Sequence, residues 1–223
     1  MQKRKIALIH TSPAAIAPLM RFYAEAAPEL EITNLLDDGL LRLLAAGDGA
    51  TVEARLAEML AVGVRTYGAE LGMVTCSSVT NGMVEKLSPM FDLPVLKIDY
   101  PMAREAVAEG RRRIGIAATF PPTVAPTSQL ISEAAEEAGV EVELVQEVVP
   151  GAYEALLSGD VETHDELLCA GVARLAAARV DVIVLAQISM ARVLPRLEGR
   201  TGVPVLTSLH TSLSAIRGAL KQN

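Results

Sequence analysis

Short apolar runs closed by small hydroxyl or turn residues alternate along this chain with longer stretches whose apolar positions recur at helical spacing. The short runs predict strands over Lys5–His10, Glu31–Asn34, Leu71–Val74, Val95–Ile98, Arg113–Ala118, Val140–Val148, Val182–Ala186 and Pro204–Leu206. Several are near-continuous Val/Ile/Leu segments, the pattern of a strand covered on both faces of a parallel sheet. The periodic stretches predict helices over Ala14–Ala27, Thr51–Tyr67, Val79–Met90, Thr123–Ala138, Thr163–Ala178, Met190–Leu197 and Ser212–Leu220. Such alternation of strand and helix implies parallel sheets joined by right-handed crossovers.

The pattern occurs twice. Lys5-Ile6-Ala7-Leu8-Ile9-His10-Thr11-Ser12-Pro13 aligns with Arg113-Ile114-Gly115-Ile116-Ala117-Ala118-Thr119-Phe120-Pro121, and Leu71–Ser78 aligns with Val182–Ser189. Leu93-Pro94-Val95-Leu96 then aligns with Val203-Pro204-Val205-Leu206. Order and spacing together mark a duplicated half. The expected fold is α/β: two similar lobes, each a parallel sheet of about four strands flanked by helices, pseudo-two-fold related, with the active site in the cleft between them. Residues 1–98 plus 207–223 are expected to form the first lobe and residues 99–206 the second. The crossings fall near Asp99-Tyr100-Pro101 and Thr207-Ser208, and the last helix returns to the first lobe.

Composition narrows the partners. With 223 residues, 51% hydrophobic, the chain is long enough to bury roughly 70% of its unfolded surface. A net charge of −7 argues against nucleic acid or an anionic membrane as partner, because both need a basic surface. Aromatic residues make up only 3% and tryptophan is absent, which removes base-stacking platforms. Arg111-Arg112-Arg113 reads as solvated or pairing local acids rather than as a phosphate-binding patch. Two cysteines, at 76 and 169, form neither a disulfide framework nor a metal spacing, and the histidines at 10, 164 and 210 lack H-x-x-H order, so no metal site is expected. Neither phosphate-loop nor dinucleotide fingerprint occurs, so no nucleotide cofactor is expected. The basic start Met1–Lys5 precedes an apolar run too short for a signal peptide, and no stretch approaches a membrane span. A reduced cytoplasmic protein is the expectation.

In such sheets ligands bind beyond the carboxyl ends of the strands. The loops there, 10–13, 75–78, 119–123 and 186–189, are rich in Ser and Thr, carry few charges and lead into helix N-termini, which suits a small carboxylate. Cys76 stands at one strand end and Gln187 at the mirrored place. A thiol can ionise, attack or carry a proton, whereas an amide can only hydrogen-bond. The cap-rich helix start after Cys76 would lower its pKa; otherwise Cys76 is a small buried hydrophobe. Gln187 either holds a substrate carboxylate or carbonyl or satisfies backbone groups in a tight loop. Thr11, Ser12, Thr119 and Thr123 are either carboxylate and oxyanion donors or helix caps. His10 is a candidate acid or base, His210 a weaker one; His164 reads as a surface residue at a helix start and Cys169 as packing.

On the duplicated halves, on Val74-Thr75-Cys76-Ser77-Ser78, on Ile114-Gly115-Ile116-Ala117-Ala118-Thr119 and on Asp181–Gln187, most of the chain resembles the aspartate/glutamate/hydantoin racemase superfamily. The resemblance implies two α/β lobes, no cofactor, a homodimer, and a small carboxylate substrate worked by two facing cysteines, one per lobe. Racemases there pass a proton between two thiols, maleate isomerases add one cysteine covalently, and arylmalonate decarboxylases manage with one. Residue by residue, Cys76 matches the first-lobe cysteine. Ser77 and Ser78 stand for the Asn-Thr pair that holds the carboxylate, with Thr75 beside them. Thr119 and Thr123 match hydroxyls of the equivalent second-lobe loop. Gln187 replaces the second cysteine, and Ile188-Ser189 replaces the Thr-Glu that often follows it.

Two-base racemisation needs an acid on the face opposite the base, which an amide does not provide. Cys76 then has two routes: protonating a carbanion or enolate on one face, as after loss of CO2 from a malonate-like acid, or adding covalently to an activated double bond or carbonyl. His10 as a second proton carrier would keep an epimerase in play. The competing class is a non-catalytic small-acid binder.

Overall fold

A computed structural model describes residues 3–108 and 110–222; Met1, Gln2, Glu109 and Asn223, which fall inside the expected domain limits, lie outside the described residues. The first part of the chain runs β1 (Arg4–His10), α1 (Ile16–Ala26), β2 (Leu30–Leu36), α2 (Leu40–Ala45), α3 (Gly49–Tyr67), β3 (Leu71–Val74), α4 (Asn81–Glu85), α5 (Ser88–Phe91) and β4 (Val95–Lys97). It continues with α6 (Tyr100–Ala106), β5 (Arg113–Ala118), α7 (Val124–Glu137), β6 (Glu143–Val148), α8 (Ala152–Leu157), α9 (Val161–Ala177), β7 (Val182–Leu185), α10 (Leu194–Leu197), β8 (Val205–Thr207) and α11 (Ser208–Gln222). Among the described residues the strands form two four-stranded parallel sheets, ordered β2-β1-β3-β4 and β6-β5-β7-β8. One compact unit runs through Asp99 and resumes at Ser212; the other is Tyr100–Thr211.

The repeat seen in the sequence is a repeat of register. In the first sheet Ile6 pairs with Leu71 and Ile9 with Val74; in the second Ile114 pairs with Val182 and Ala117 with Leu185. Gly72 pairs with Val95 in the one and Ile183 with Val205 in the other. The central strands are buried on both faces because helices flank each sheet: Ile6 to His10 and Ile114 to Ala118 lie in the interior. In the first unit α3 lays Val52, Leu56, Met59 and Leu60 against Ile9, Val74 and Val95. A β-carbon on its Gly63 would come within 2.7 Å of the Ala7 side chain, so only glycine lets this helix sit so close to β1. The closing helix of that unit is the C-terminal part of α11, held by Tyr23 Oη to Ser212 Oγ (2.9 Å) and Arg217 to Glu29 (2.7 Å).

Several local expectations are corrected. The helix expected over Val79–Met90 is two short ones, α4 and α5, because Pro89 has no N–H to bond to the Glu85 carbonyl and so sits in the first turn of a new helix. Helix α4 starts at Asn81, where Thr80 accepts from the Met83 N–H (3.3 Å). The strand expected from Val140 starts at Glu143, since the Val140 N–H closes α7 by bonding to Ala135 O (2.9 Å) after a left-handed Gly139. The helix expected over Met190–Leu197 is a 3-10 segment, Ile188–Val193, followed by α10. Helices α2, α6 and α8 were not anticipated; each is too short for its periodicity to be read. Among the described residues no helix is long and apolar enough to cross a membrane.

Candidate active site

Each unit builds the same turn at the end of its third strand. In the first, the Thr75 N–H bonds to Ile9 O (3.0 Å) and the Val79 N–H to Cys76 O (3.3 Å). In the second, the Ala186 N–H bonds to Ala117 O (3.0 Å) and the Met190 N–H to Gln187 O (3.1 Å). Cys76 and Gln187 therefore occupy equivalent positions, two residues beyond the last paired residue of β3 and β7.

Their surroundings differ. Cys76 is 8% exposed and packs in a cluster with Ile9, Val74, Val79 and Val84. The capped helix start expected next to it lies at Thr80 and Asn81, and the helix is five residues long, so it offers the sulfur little dipole. Gln187 is half-buried and spent on Thr119: its Oε1 accepts the Thr119 backbone N–H (2.8 Å) and its Nε2 donates to Thr119 Oγ1 (2.9 Å). The amide thus ties the end of β7 to the end of β5 and takes up one donor of Thr119, its backbone N–H, and one acceptor, its Oγ1.

The sequence-derived hydroxyls divide in the same way. In the first unit Thr11, Ser77 and Ser78 make no side-chain hydrogen bond to another described residue; Thr11 and Ser12 follow the end of β1, and Ser77 and Ser78 follow Cys76 after β3. Thr75 is engaged: its Oγ1 lies 2.8 Å from His10 Nδ1 and 3.1 Å from Ile9 O. In the second unit Thr123 donates to Phe120 O (2.8 Å), a local turn bond rather than a ligand contact.

His10 is fully buried, with both ring nitrogens in use. Its Nε2 donates to Asn34 Oδ1 (2.9 Å), and Nδ1 lies 2.8 Å from the hydroxyl of Thr75, whose single proton goes either to that nitrogen or to Ile9 O. Burial pushes its pKa below the ordinary 6.5, with the Asn34 bond opposing. Because the folded value is depressed, the unfolded chain takes up the proton first as pH falls, and stability is lost below about pH 6.5. Urea unfolding at pH 7.5 and 5.5 should show wild type losing stability on acidification. His10→Gln, which cannot titrate, should be weaker at both pH values but lose clearly less between them; equal losses would contradict this account.

His164 is a correction. It is wholly buried at the fourth position of α9, on the stripe continued by Leu168, Val172 and Leu175, and its Nδ1 lies 2.8 Å from Asp165 Oδ1. Cys169 packs on the same unit's core, and burial pushes its thiol pKa up. His210 is exposed, with Nδ1 3.0 Å from Thr207 Oγ1. Two groups escaped the sequence reading: Lys97 and Asp99, an ion pair almost sealed at the end of β4, beside β3. The available signal was a lysine two residues before an aspartate in an otherwise apolar strand end. Among the described residues no group of three or more His, Cys, Asp and Glu is placed to hold a metal ion.

A duplicated α/β chain with a thiol at one strand-end turn and an amide at its equivalent defines a class: proteins of two like parallel-sheet units. The profile of the Asp/Glu/hydantoin racemase family matches residues 5–216, and the chain belongs to that family. Among solved structures it is similar to glutamate racemase from Bacillus anthracis, with 14% identity, TM-score 0.70 and coverage of 100% of this chain and 83% of that one. It is similar also to an aspartate racemase homologue from Pyrococcus horikoshii (16% identity, TM-score 0.69, 98% of each chain). A third is arylmalonate decarboxylase, at 18% identity and TM-score 0.69, covering 96% of this chain and 92% of that one. No curated protein matches the sequence.

Proposed function

We propose that this chain is an enzyme of small carboxylic acids that needs no cofactor and works through one thiol, that of Cys76, in isomerase-type chemistry that does not call for a second proton carrier. The observation that carries this reading is the Gln187–Thr119 pair at the position equivalent to Cys76. An amide held at both ends delivers no proton, and His10, buried with both nitrogens engaged, is no second carrier. The unengaged hydroxyls of Thr11, Ser77 and Ser78 supply donors for a carboxylate and for the oxyanion that develops on it.

One thiol permits two balanced reactions. As an acid, S–H gives its proton to a carbanion or enolate carbon, and the thiolate recovers a proton from solvent. As a nucleophile, the thiolate adds to an activated double bond, the resulting single bond rotates, and elimination returns the thiolate. Loss of CO2 from a malonate-like acid leaves the bonding pair on the α-carbon and so makes the carbanion without a second base. That economy, with an arylmalonate decarboxylase among the similar structures, favours a decarboxylase or lyase as the second reading.

The test is incubation of the purified protein in D2O with racemisable amino acids, hydantoins, malonates and maleate, followed by proton NMR. At least one acid should be exchanged or converted. Failure with every acid would overturn the enzyme reading in favour of a small-acid binding protein.

A further inference from the structure

We infer that Asp165 is a positioning residue for the segment that carries Gln187. This carboxylate on α9 is 3% exposed, yet it receives the Arg192 Nε at 2.8 and 3.1 Å and lies 3.5 Å from the Arg196 guanidinium. His164 Nδ1 donates to it as well, since an ionised carboxylate only accepts. Arg192 belongs to the 3-10 segment Ile188–Val193 that directly follows Gln187. Arg196, in α10, is also bound through both terminal nitrogens by Glu162 at 2.8 and 2.7 Å. One end of α9 thus grips two arginines downstream of Gln187.

The 3-10 segment is held from outside by Met190 and Val193, which are buried in the core, and by one polar contact. Its internal hydrogen bonds are poorly aligned, and among the described residues its only side-chain hydrogen bonds are those of Arg192 to Asp165. Apolar packing joins the corresponding elements in both units: Val52, Leu56 and Leu60 of α3 with Val79, Val84 and Leu87 after Cys76, and Leu168, Val172 and Leu175 of α9 with Met190, Val193 and Leu197 after Gln187. The ion pair that the first unit adds there, Lys86 to Glu53, is exposed, whereas the Asp165 carboxylate is sealed. Apolar packing already supplies the cohesion, and a partly buried ionic contact usually adds little net stability to it. What it adds is direction: the arginine can satisfy the carboxylate in one arrangement of the segment. That arrangement sets Gln187 against Thr119.

The bearing of this clamp on catalysis rests on the one-thiol reading above, but the contact is testable without substrate or turnover. The Thr119 backbone N–H is bonded to Gln187 Oε1, so its hydrogen exchange reports the placement of that side chain. In 15N-labelled Asp165→Asn, Thr119 N–H exchange should accelerate at least tenfold. Exchange at Ile183, bonded to Pro204 O, and at Thr75, bonded to Ile9 O, should stay within twofold of wild type. Arg192→Lys removes the Nε donor from a 41% exposed side chain and should give the same pattern, which covers the case in which Asp165→Asn does not fold. Unchanged Thr119 exchange in a folded variant, or equal acceleration at all three amides, would overturn the assignment. Either result leaves the Cys76 chemistry untouched, and an inert Cys76 leaves this contact untouched.

Discussion

Replacing Cys76 by alanine is expected to lower turnover of any acid the protein converts by a factor on the order of 10²–10⁴, the usual contribution of a positioned proton carrier, and by more if the sulfur bonds covalently. The effect is chemical and not structural. Cys76 is a small side chain at the edge of its cluster, 8% exposed against essentially zero for Val74 and Val79. Its truncation costs on the order of 1 kcal/mol, so the variant folds. The check is kcat/KM for wild type, Cys76→Ala and Cys76→Ser on one substrate, with thermal melts as control. Serine keeps the shape but is a far weaker acid and nucleophile, so it should fall nearly as far as alanine. Retained activity in Cys76→Ala would remove the site assignment, because Gln187 is bonded to Thr119 and His10 is sealed.

The second large effect concerns Lys97 and Asp99. Their side chains are 2% and 9% exposed and form a single ion pair at the end of β4. Removing one member of a buried pair strands the other charge, at a cost of about 3–5 kcal/mol. Asp99→Ala should therefore melt lower than wild type by on the order of 10 °C, given the usual shift of roughly 2–4 °C per kcal/mol at this chain length. Removing both charges at once leaves nothing stranded. The double variant Lys97→Met/Asp99→Leu should recover most of the loss, and the non-additivity in a double-mutant cycle measures the coupling. Additive losses would mean that the two charges are solvated and uncoupled.

Much of this protein was legible in its sequence, and what could be read shares one property: it depends on which residues are apolar and in what order. The β1 and β5 runs are buried on both faces, so their near-continuous Ile, Leu and Ala announce central parallel strands. Because both sheets follow one register, spacing alone placed Cys76 opposite Gln187 in the repeat. Short elements such as α2, α6 and α8 were lost because less than two turns leaves no period to read.

The tertiary structure decided how each buried polar group is neutralised, and so what each can do. His10 looked available for proton transfer until the fold supplied Asn34 and Thr75, 24 and 65 residues away in sequence. The sequence leaves Gln187 either to hold a substrate or to satisfy backbone groups, and Thr119, 68 residues distant, takes both ends of its amide. His164 looked solvated, although α9 turns it inward toward Asp165. Hydrophobic burial is roughly additive along the chain and leaves its period in the sequence. A hydrogen bond needs a partner of set geometry within about 3 Å. Which distant residue arrives there is settled only when the strands pair and the helices pack.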